Sequence, residues 1–244
     1  MTLPTRPEGA LIAAAADASP IPIDMLAPSG GLLIIAPHPD DETLGCGEAL
    51  AAASEAGREI GLILLTDGEG SHRNSKTYER DALVRLRREE LGSALAILAP
   101  HRNIPVMRAG LRDGRSSIDQ LGLHRLQRIV AFGASIDASA IWTTWEGDPH
   151  CDHKTAAELG RSLAKELNAR LWRYPVWGRF GHQGQVPANL RQSTDRRFAD
   201  RKRSAIATYR SQTTFLIDDD PEGASIPREI LDHFADHPEI FISG

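Results

Sequence analysis

The chain reads as an α/β protein, a Rossmann-like, mostly parallel sheet covered by helices on both faces. Three observations predict this. From Gly31 onward, short apolar runs alternate with amphipathic stretches of helical length. Those runs are continuously apolar, the pattern of strands buried on both faces. The 244 residues suit one α/β domain, long enough to bury roughly 70% of its unfolded surface in a core.

The elements follow in order. Gly31-Leu-Leu-Ile-Ile-Ala36 is a short apolar strand, and 42–56 a helix stopped by Gly57. Residues 60–66 form a second strand, with Asp67-Gly-Glu-Gly70 as its turn. Residues 77–99 are a long helix whose charged side carries Arg80, Arg85, Arg87 and Arg88. The spacing then predicts a strand at 104–107, a helix at 118–132 and a strand at 140–144. A helix at 153–169, a strand at Arg170–Tyr174 and a helix at 198–209 complete the pattern. Strands alternating with helices of this length make βαβ units, hence a parallel sheet. Residues 1–30, rich in Ala and Pro, read as an N-terminal arm packed on a single domain over 31–244.

Composition excludes several functions. Lys and Arg number 28 against 33 Asp and Glu, net charge −5, so a nucleic-acid or membrane-surface partner is not expected. No stretch approaches the ~20 apolar residues of a membrane span. Leu11–Ala16 lacks the basic flank of a signal segment, and two Cys make no disulfide framework. A cytoplasmic protein is expected. The unusual count is nine His, the side chain most used for metal ligation and proton transfer near neutral pH.

Three of those histidines fall in two short motifs. The segment His38-Pro-Asp40-Asp41-Glu42 links the first strand to the first helix, the strand end where ligands gather in open α/β sheets. An imidazole and a carboxylate three residues apart can reach one metal across a tight turn, leaving the neighbouring carboxylate free as a base. Helix capping would account for one acidic residue at a helix start, but not for three in a row preceded by His. The second motif, Trp145-Glu-Gly-Asp148-Pro-His150-Cys151-Asp152-His153, also follows a strand and opens a helix. An Asp between two His can orient an imidazole through its N–H. A catalytic zinc takes three protein ligands and keeps one open position, and His38, Asp41 and either His150 or His153 would complete that set.

Weaker signals have plainer readings. Gly45-Cys-Gly47 lies inside the first helix and lacks a third Gly, so close helix-to-sheet packing explains it better than a dinucleotide loop. Cys46 and Cys151 read as structural. His72 and Arg73, in a polar loop after the second strand, are candidate substrate contacts. Trp177 and Phe180 read as core aromatics. His101, His124, His233 and His237 read as solvated, and His182 lies in a Gly-rich loop without a clear role.

Both motifs together resemble the LmbE-like, or PIG-L, family of zinc-dependent N-acetylglucosaminyl deacetylases. Ala36-Pro-His38-Pro-Asp40-Asp41-Glu42 is similar to the family's first motif and His150-Cys-Asp152-His153 to its His-x-Asp-His, with matching order over roughly residues 30–213. The resemblance implies an LmbE-like fold and zinc held by His38, Asp41 and His153, although Fe²⁺ or another divalent metal also suits such a set. It implies Asp40 as general base, His150 as oxyanion stabiliser, and Asp152 as the residue that orients His150. Arg87-Arg-Glu-Glu90 resembles the family's Arg-x-x-Glu, whose Arg reaches the substrate. Lys202…Tyr209-x-Ser211-Gln212 resembles a late segment in which relatives carry His in place of Tyr209. Asp148 stands where some relatives carry a Tyr general acid, so His150 and Asp148 are both candidates to protonate the leaving amine. Arg87, His72, Arg73, Asp148 and Tyr209 are thus the expected substrate contacts.

The expected function is metal-dependent removal of an N-acyl group, acetyl foremost, from a small amino-sugar conjugate. The alternatives are an amidase acting on a thiol-conjugate or other non-sugar amide, and a metal- and sugar-binding relative without turnover. A Rossmann oxidoreductase lacks its glycine loop here.

Overall fold

The computed structural model describes residues 3–181 and 186–244. Its strands are β1 (Ser19–Pro20), β2 (Gly31–Ala36), β3 (Ile60–Leu64), β4 (Val106–Arg108), β5 (Ala138–Thr144), β6 (Arg170–Tyr174), β7 (Leu190–Ser193) and β8 (Glu239–Ser243). They form one eight-stranded sheet ordered β1-β7-β8-β6-β5-β2-β3-β4. The helices are α1 (Ala10–Ala16), α2 (Ile23–Leu26), α3 (Asp41–Glu55), α4 (Arg80–Leu98), α5 (Gly122–Ser135), α6 (Cys151–Glu166), α7 (Ala199–Ile206), α8 (Arg210–Thr213) and α9 (Arg228–Asp236).

The continuous apolar run of β2 is buried at every residue because alternate side chains feed two cores. Leu32, Ile34 and Ala36 face the core built with α3, α4, α7 and α9, among them Leu50, Leu91, Ile206 and Phe234. Leu33 and Ile35 face the other core, with Ile129 of α5 and Leu159 of α6. The mostly parallel sheet between two helical layers is therefore as expected, and only β8 runs antiparallel, to both β6 and β7. No helix among the described residues is long and apolar enough to cross a membrane.

β2 pairs in parallel with β3 on one side and β5 on the other. After β2 the chain winds outward to β3 and β4, then returns to β5 and winds the other way to β6, so the switch point lies between β2 and β5. One irregularity precedes it. Gly31 pairs with Ala138, but Leu32 pairs with Ala140, so β5 carries an extra residue at the start of the ladder.

Several element boundaries moved. The segment expected as one helix at 118–132 is a short turn of 3₁₀ helix at Ile118–Gln120 followed by α5, divided at Gly122, whose φ is +63°. The helix expected from 77 begins at Arg80, because residues 75–77 are engaged with Asp219, whose carboxylate accepts from the Ser75 hydroxyl and the Lys76 and Thr77 N–H groups. The leader, for which the sequence predicts no elements, contributes α1, α2 and the edge strand β1, which pairs with β7. The sequence pattern does not announce β7, α8, α9 or β8 either. α9 buries Ile230, Leu231, Phe234 and Ala235, a helical spacing compressed into barely two turns.

α3 is broken at Cys46, whose φ of −146° is not helical. Gly45 at this break lies against the Tyr174 ring, where a Cβ would approach to 2.2 Å; close packing, the sequence reading, is the reason for this glycine. The second half of α3 behaves as a helix with its own N-terminus. Glu239 of β8 caps it, accepting from the N–H groups of Glu48 (2.7 Å) and Ala49 (2.9 Å). Lys202 Nζ donates to the same carboxylate at 2.8 Å, and both side chains are buried.

His233 is buried, contrary to the solvated reading. Its α9 neighbours place it against Phe180 and Phe234, with its ring stacked on His237 at 4.3 Å. Burial, then the positive charges of Arg179, His237 and Lys202, push its pKa down from 6.5 to about 3. The folded protein keeps this ring neutral while the unfolded chain takes up a proton below 6.5, so the contribution of His233 is full above that pH and is lost as pH falls. The melting temperature of the His233→Phe variant should accordingly fall less between pH 7 and pH 5 than that of the parent, and equal slopes in a thermal-melt series would exclude this source.

Candidate metal centre and active-site cleft

The loops after β2 and β5 meet at the switch point, as open α/β sheets place their ligand sites. Pro39 restrains His38 to extended backbone, and the chain then turns through Asp40, the residue before α3, at φ 140° and ψ −30°. That is left-handed backbone for a residue with a Cβ, a conformation costing roughly 1–3 kcal/mol and held only where neighbours over-determine it. His150 caps α6 by accepting the Asp152 N–H at Nδ1 (3.3 Å). The ring proton therefore sits on Nε2.

His38, His150 and His153 present nitrogens within 4.8 Å of one another. His153 Nδ1 donates to Asp148 Oδ2 at 2.7 Å, which leaves Nε2 a free lone pair 3.4 Å from Asp41 Oδ2. His38 Nε2 donates to Asp152 Oδ2 (3.0 Å) and lies 3.3 Å from Asp113 Oδ1. Its Nδ1 then faces Asp41 Oδ2 at 3.0 Å. Two acceptors so close require a cation, and a second ring proton serves. Burial opposes that charge on His38, but hydrogen bonds to Asp113, Asp152 and Asp41 outweigh it and raise its pKa. A divalent cation would displace the proton. His153 Nε2 and Asp41 Oδ1 are buried polar atoms without hydrogen-bond partners. Asp41 Oδ2 faces both rings, 3.0 Å from His38 Nδ1 and 3.4 Å from His153 Nε2, so the donor set fits a metal of the His/His/carboxylate type.

Asp40 stands beside this set. Its carboxylate accepts from Arg87 Nη2 at 3.1 Å, and the same nitrogen donates to the Pro39 carbonyl at 2.5 Å. Burial pushes the Asp40 pKa upward, with Arg87 opposing and Asp41 adding to the rise. Burial likewise lowers His150, to about 4, aided by the charges of His38 and His153. The two motifs open on a cleft of about 640 Å³ lined by His38, Asp40, Asp41, His150, Asp113 and Arg73, among others.

The remaining expected site residues sit in other places. Asp148 has no exposed surface. Besides His153 it accepts the N–H groups of Val176 (3.0 Å) and Gly178 (2.7 Å), so it stands behind His153 and is closed off from the cleft. Asp152 lies 3.9 Å from His150 Nδ1 and holds His38 in its place, with Gly114 and Ser116 N–H groups completing its shell. Tyr209 is buried against Glu42 and Thr43 and is absent from the cleft wall. His72 lies outside the main cleft and lines a neighbouring one of about 520 Å³, while Arg73 borders both. Arg87 reaches the cleft wall while bonded to the Asp40 turn. His182 falls outside the described residues.

Asp113 was missed. It follows β4 at an Asp-Gly pair and accepts the Gly70 N–H at 2.7 Å. A turn dipeptide just past a strand was the available signal. Trp177, Gln212, Asp220 and Glu222 also line the cleft.

The reassignment of Asp148 has a measurable consequence. Asp148→Asn keeps the shape but weakens the acceptor that orients His153, so metal affinity should drop by about 10–100-fold, the range for partners of metal-ligating histidines. A competitive chelator titration checks this. Unchanged affinity with a raised KM would return Asp148 to the substrate.

Residues 33–164 match the family described as PIG-L, GlcNAc-PI de-N-acetylase. The uncharacterized deacetylase YaiS of Escherichia coli (strain K12) is 32% identical over 125 residues, 50% of this chain and 62% of that protein. The N,N'-diacetylchitobiose deacetylase of Pyrococcus horikoshii has a TM-score of 0.65 at 17% identity, over 95% of this chain and 88% of that one. The 4-carboxy-2-hydroxymuconate hydratase GalB of Pseudomonas putida KT2440 has a TM-score of 0.58 at 19% identity, over 75% and 80%. Likenesses at these identities attest to the fold alone, and a hydratase on the same frame shows that the frame does not dictate the reaction. The family match spans more than half of the 244 residues and contains both His/Asp motifs, and on that evidence the chain belongs to the PIG-L, or LmbE-like, family of deacetylases.

Proposed function

We propose that the protein is a zinc-dependent hydrolase that removes an acetyl group from the nitrogen of a small amino-sugar conjugate. The observation that carries this is the placing of Asp41 Oδ2 between His38 Nδ1 and the orphaned His153 Nε2, beside a carboxylate, Asp40, that is bonded away from them to Arg87. A metal-binding protein without turnover has no use for that second carboxylate.

His38, Asp41 and His153 would hold the metal, with Asp152 and Asp148 orienting the two rings. A bound Zn²⁺ supplies Lewis acidity toward the amide oxygen and acidifies water. Asp40 takes the proton of the attacking water, and its burial favours the proton it has accepted. His150 directs its Nε2–H into the cleft, where it donates to the oxygen that becomes negative as the carbonyl carbon turns tetrahedral. With Asp148 enclosed, the proton on Asp40 is the one at hand for the departing amine; acetate and a primary amine are the products. Polar side chains on the cleft walls, including Asp113, Arg73, Asn74 and Gln212, suit the hydroxyl groups of a sugar, and Trp177 offers an apolar face.

The test pairs metal analysis with an amine-release assay across N-acetylated amino sugars and non-sugar amides. About one metal per chain and release confined to the sugars is the expected result. Release from non-sugar amides alone would overturn the substrate class, and metal-bound protein that releases nothing would favour the binding-only reading.

A further inference from the structure

Asp40 carries its proposed role on a strained peptide, and two groups hold that peptide from opposite sides. Arg87 grips the Pro39 carbonyl and the Asp40 carboxylate. On the other side the Asp40 N–H donates to Glu42 Oε2 at 3.2 Å. Glu42 is wholly buried, and no cation pairs with it among the described residues. Its other oxygen, Oε1, accepts from the hydroxyls of Thr43 and Tyr209, each at 2.5 Å. Thr43 is the adjacent residue and moves with the turn. Tyr209 comes from the segment joining α7 to α8, 167 residues along the chain from Glu42, and is thus the external anchor of the Glu42 carboxylate.

Tyr209 is anchored in turn. Its carbonyl accepts the Gln212 N–H, and the next residues are pinned to α4, where Glu90 accepts from the N–H (2.7 Å) and hydroxyl (2.6 Å) of Ser211. α4 also supplies Arg87, so both grips on the Asp40 turn issue from one helix, one directly and one through Ser211, Tyr209 and Glu42.

We propose that Tyr209 is a positioning residue for the hydrolysis, fixing the Asp40 peptide through Glu42 so that the base faces the metal ligands. It does not touch the cleft, and its hydroxyl has no partner besides Glu42 and Thr43 among the described residues. This rests on Asp40 being the base.

The experiment measures kcat, KM, metal content and amide exchange at Asp40 by nitrogen-15 NMR on metal-loaded protein. Tyr209→Phe removes only the donor. Its kcat should fall about tenfold, within the range in which a small misplacement of a catalytic group acts, with KM and metal content unchanged and exchange at the Asp40 N–H faster. Tyr209→His restores a ring donor on a shorter side chain and should recover part of that kcat. Glu42→Leu removes both oxygens, the one that accepts from Asp40 included, and should lose kcat like the Phe variant; if Tyr209→Phe does not fold, this variant and Tyr209→His decide. A Phe variant with parental kcat and parental Asp40 exchange overturns the proposal, as does a loss that appears equally in KM and metal content. If the parent protein hydrolyses nothing, the deacetylase reading fails by itself, and the exchange measurement still decides whether Tyr209 holds the Asp40 peptide.

Discussion

Asp40→Asn is expected to lower turnover of an N-acetylated amino sugar by roughly 10²–10⁴-fold, the usual contribution of a positioned general base, while metal content stays at the parental level. The substitution is nearly isosteric. Asn can still accept from Arg87 through its carbonyl oxygen, and its backbone N–H can still donate to Glu42, so the turn keeps its shape. None of the three proposed metal ligands, His38, Asp41 and His153, bonds to the Asp40 side chain. What disappears is an acceptor basic enough to take a proton from water. Metal quantification on the purified variant and a single-turnover assay separate the two roles. Metal lost along with activity would make Asp40 a ligand.

Glu239→Ala is expected to destabilise the fold by about 3–5 kcal/mol, the cost of breaking a buried ion pair from one side. Three groups lose their acceptor at once. Lys202 would be left as a buried, uncompensated ammonium, and the Glu48 and Ala49 N–H groups would have no cap at the break in α3. For a chain of this length that corresponds to a melting temperature lower by roughly 10 °C. Adding Lys202→Met should return part of the loss, because it removes the stranded charge, but not the part owed to the open helix end. A double variant as unstable as Glu239→Ala would show that the charge contributes little. The break matters for function because it lies within two turns of Asp40 and Asp41 on the same helix.

How far the fold could be read in advance follows from how local each signal is. β2, β3, β5 and β6 are short runs whose own apolar residues announce burial on both faces, and the motif residues sit at their ends by adjacency alone. The positions of His38, Asp40, Asp41 and His153 were legible for that reason. The tasks of Asp148, Asp152 and Tyr209 were not. Asp152 serves a histidine 114 residues away, and Tyr209 serves Glu42 across a still longer interval; no spacing in one dimension encodes those meetings. Asp148 stands only five residues from His153, yet its burial comes from the Val176–Gly178 turn, which closes over it from another strand. Asp113 enters the cleft because β4 lies beside β3, a fact of sheet order. The helices after residue 209 escaped for a different reason: α8 and α9 span only four and nine residues, too few turns for a helical period to stand out. The buried His233 shows the reverse error, since a polar residue on a short helix says nothing of which layer covers it.

The extra residue at the start of the β2–β5 ladder acts as a ruler for the cleft. His38 follows β2 and Asp152 follows β5, and past the bulge the register is locked as Leu32 to Ala140, Leu33 to Ile141, Ile34 to Trp142 and Ile35 to Thr143. A slip of one residue along a strand is a shift of about 3.3 Å that also turns every side chain to the other face. That displacement exceeds the 3.0 Å bond between His38 and Asp152, so a neighbouring register breaks that bond. The geometry between the two loops is therefore set by strand alignment, and an insertion or deletion within Leu32–Ile35 or Ala140–Thr143 would be read out in the cleft.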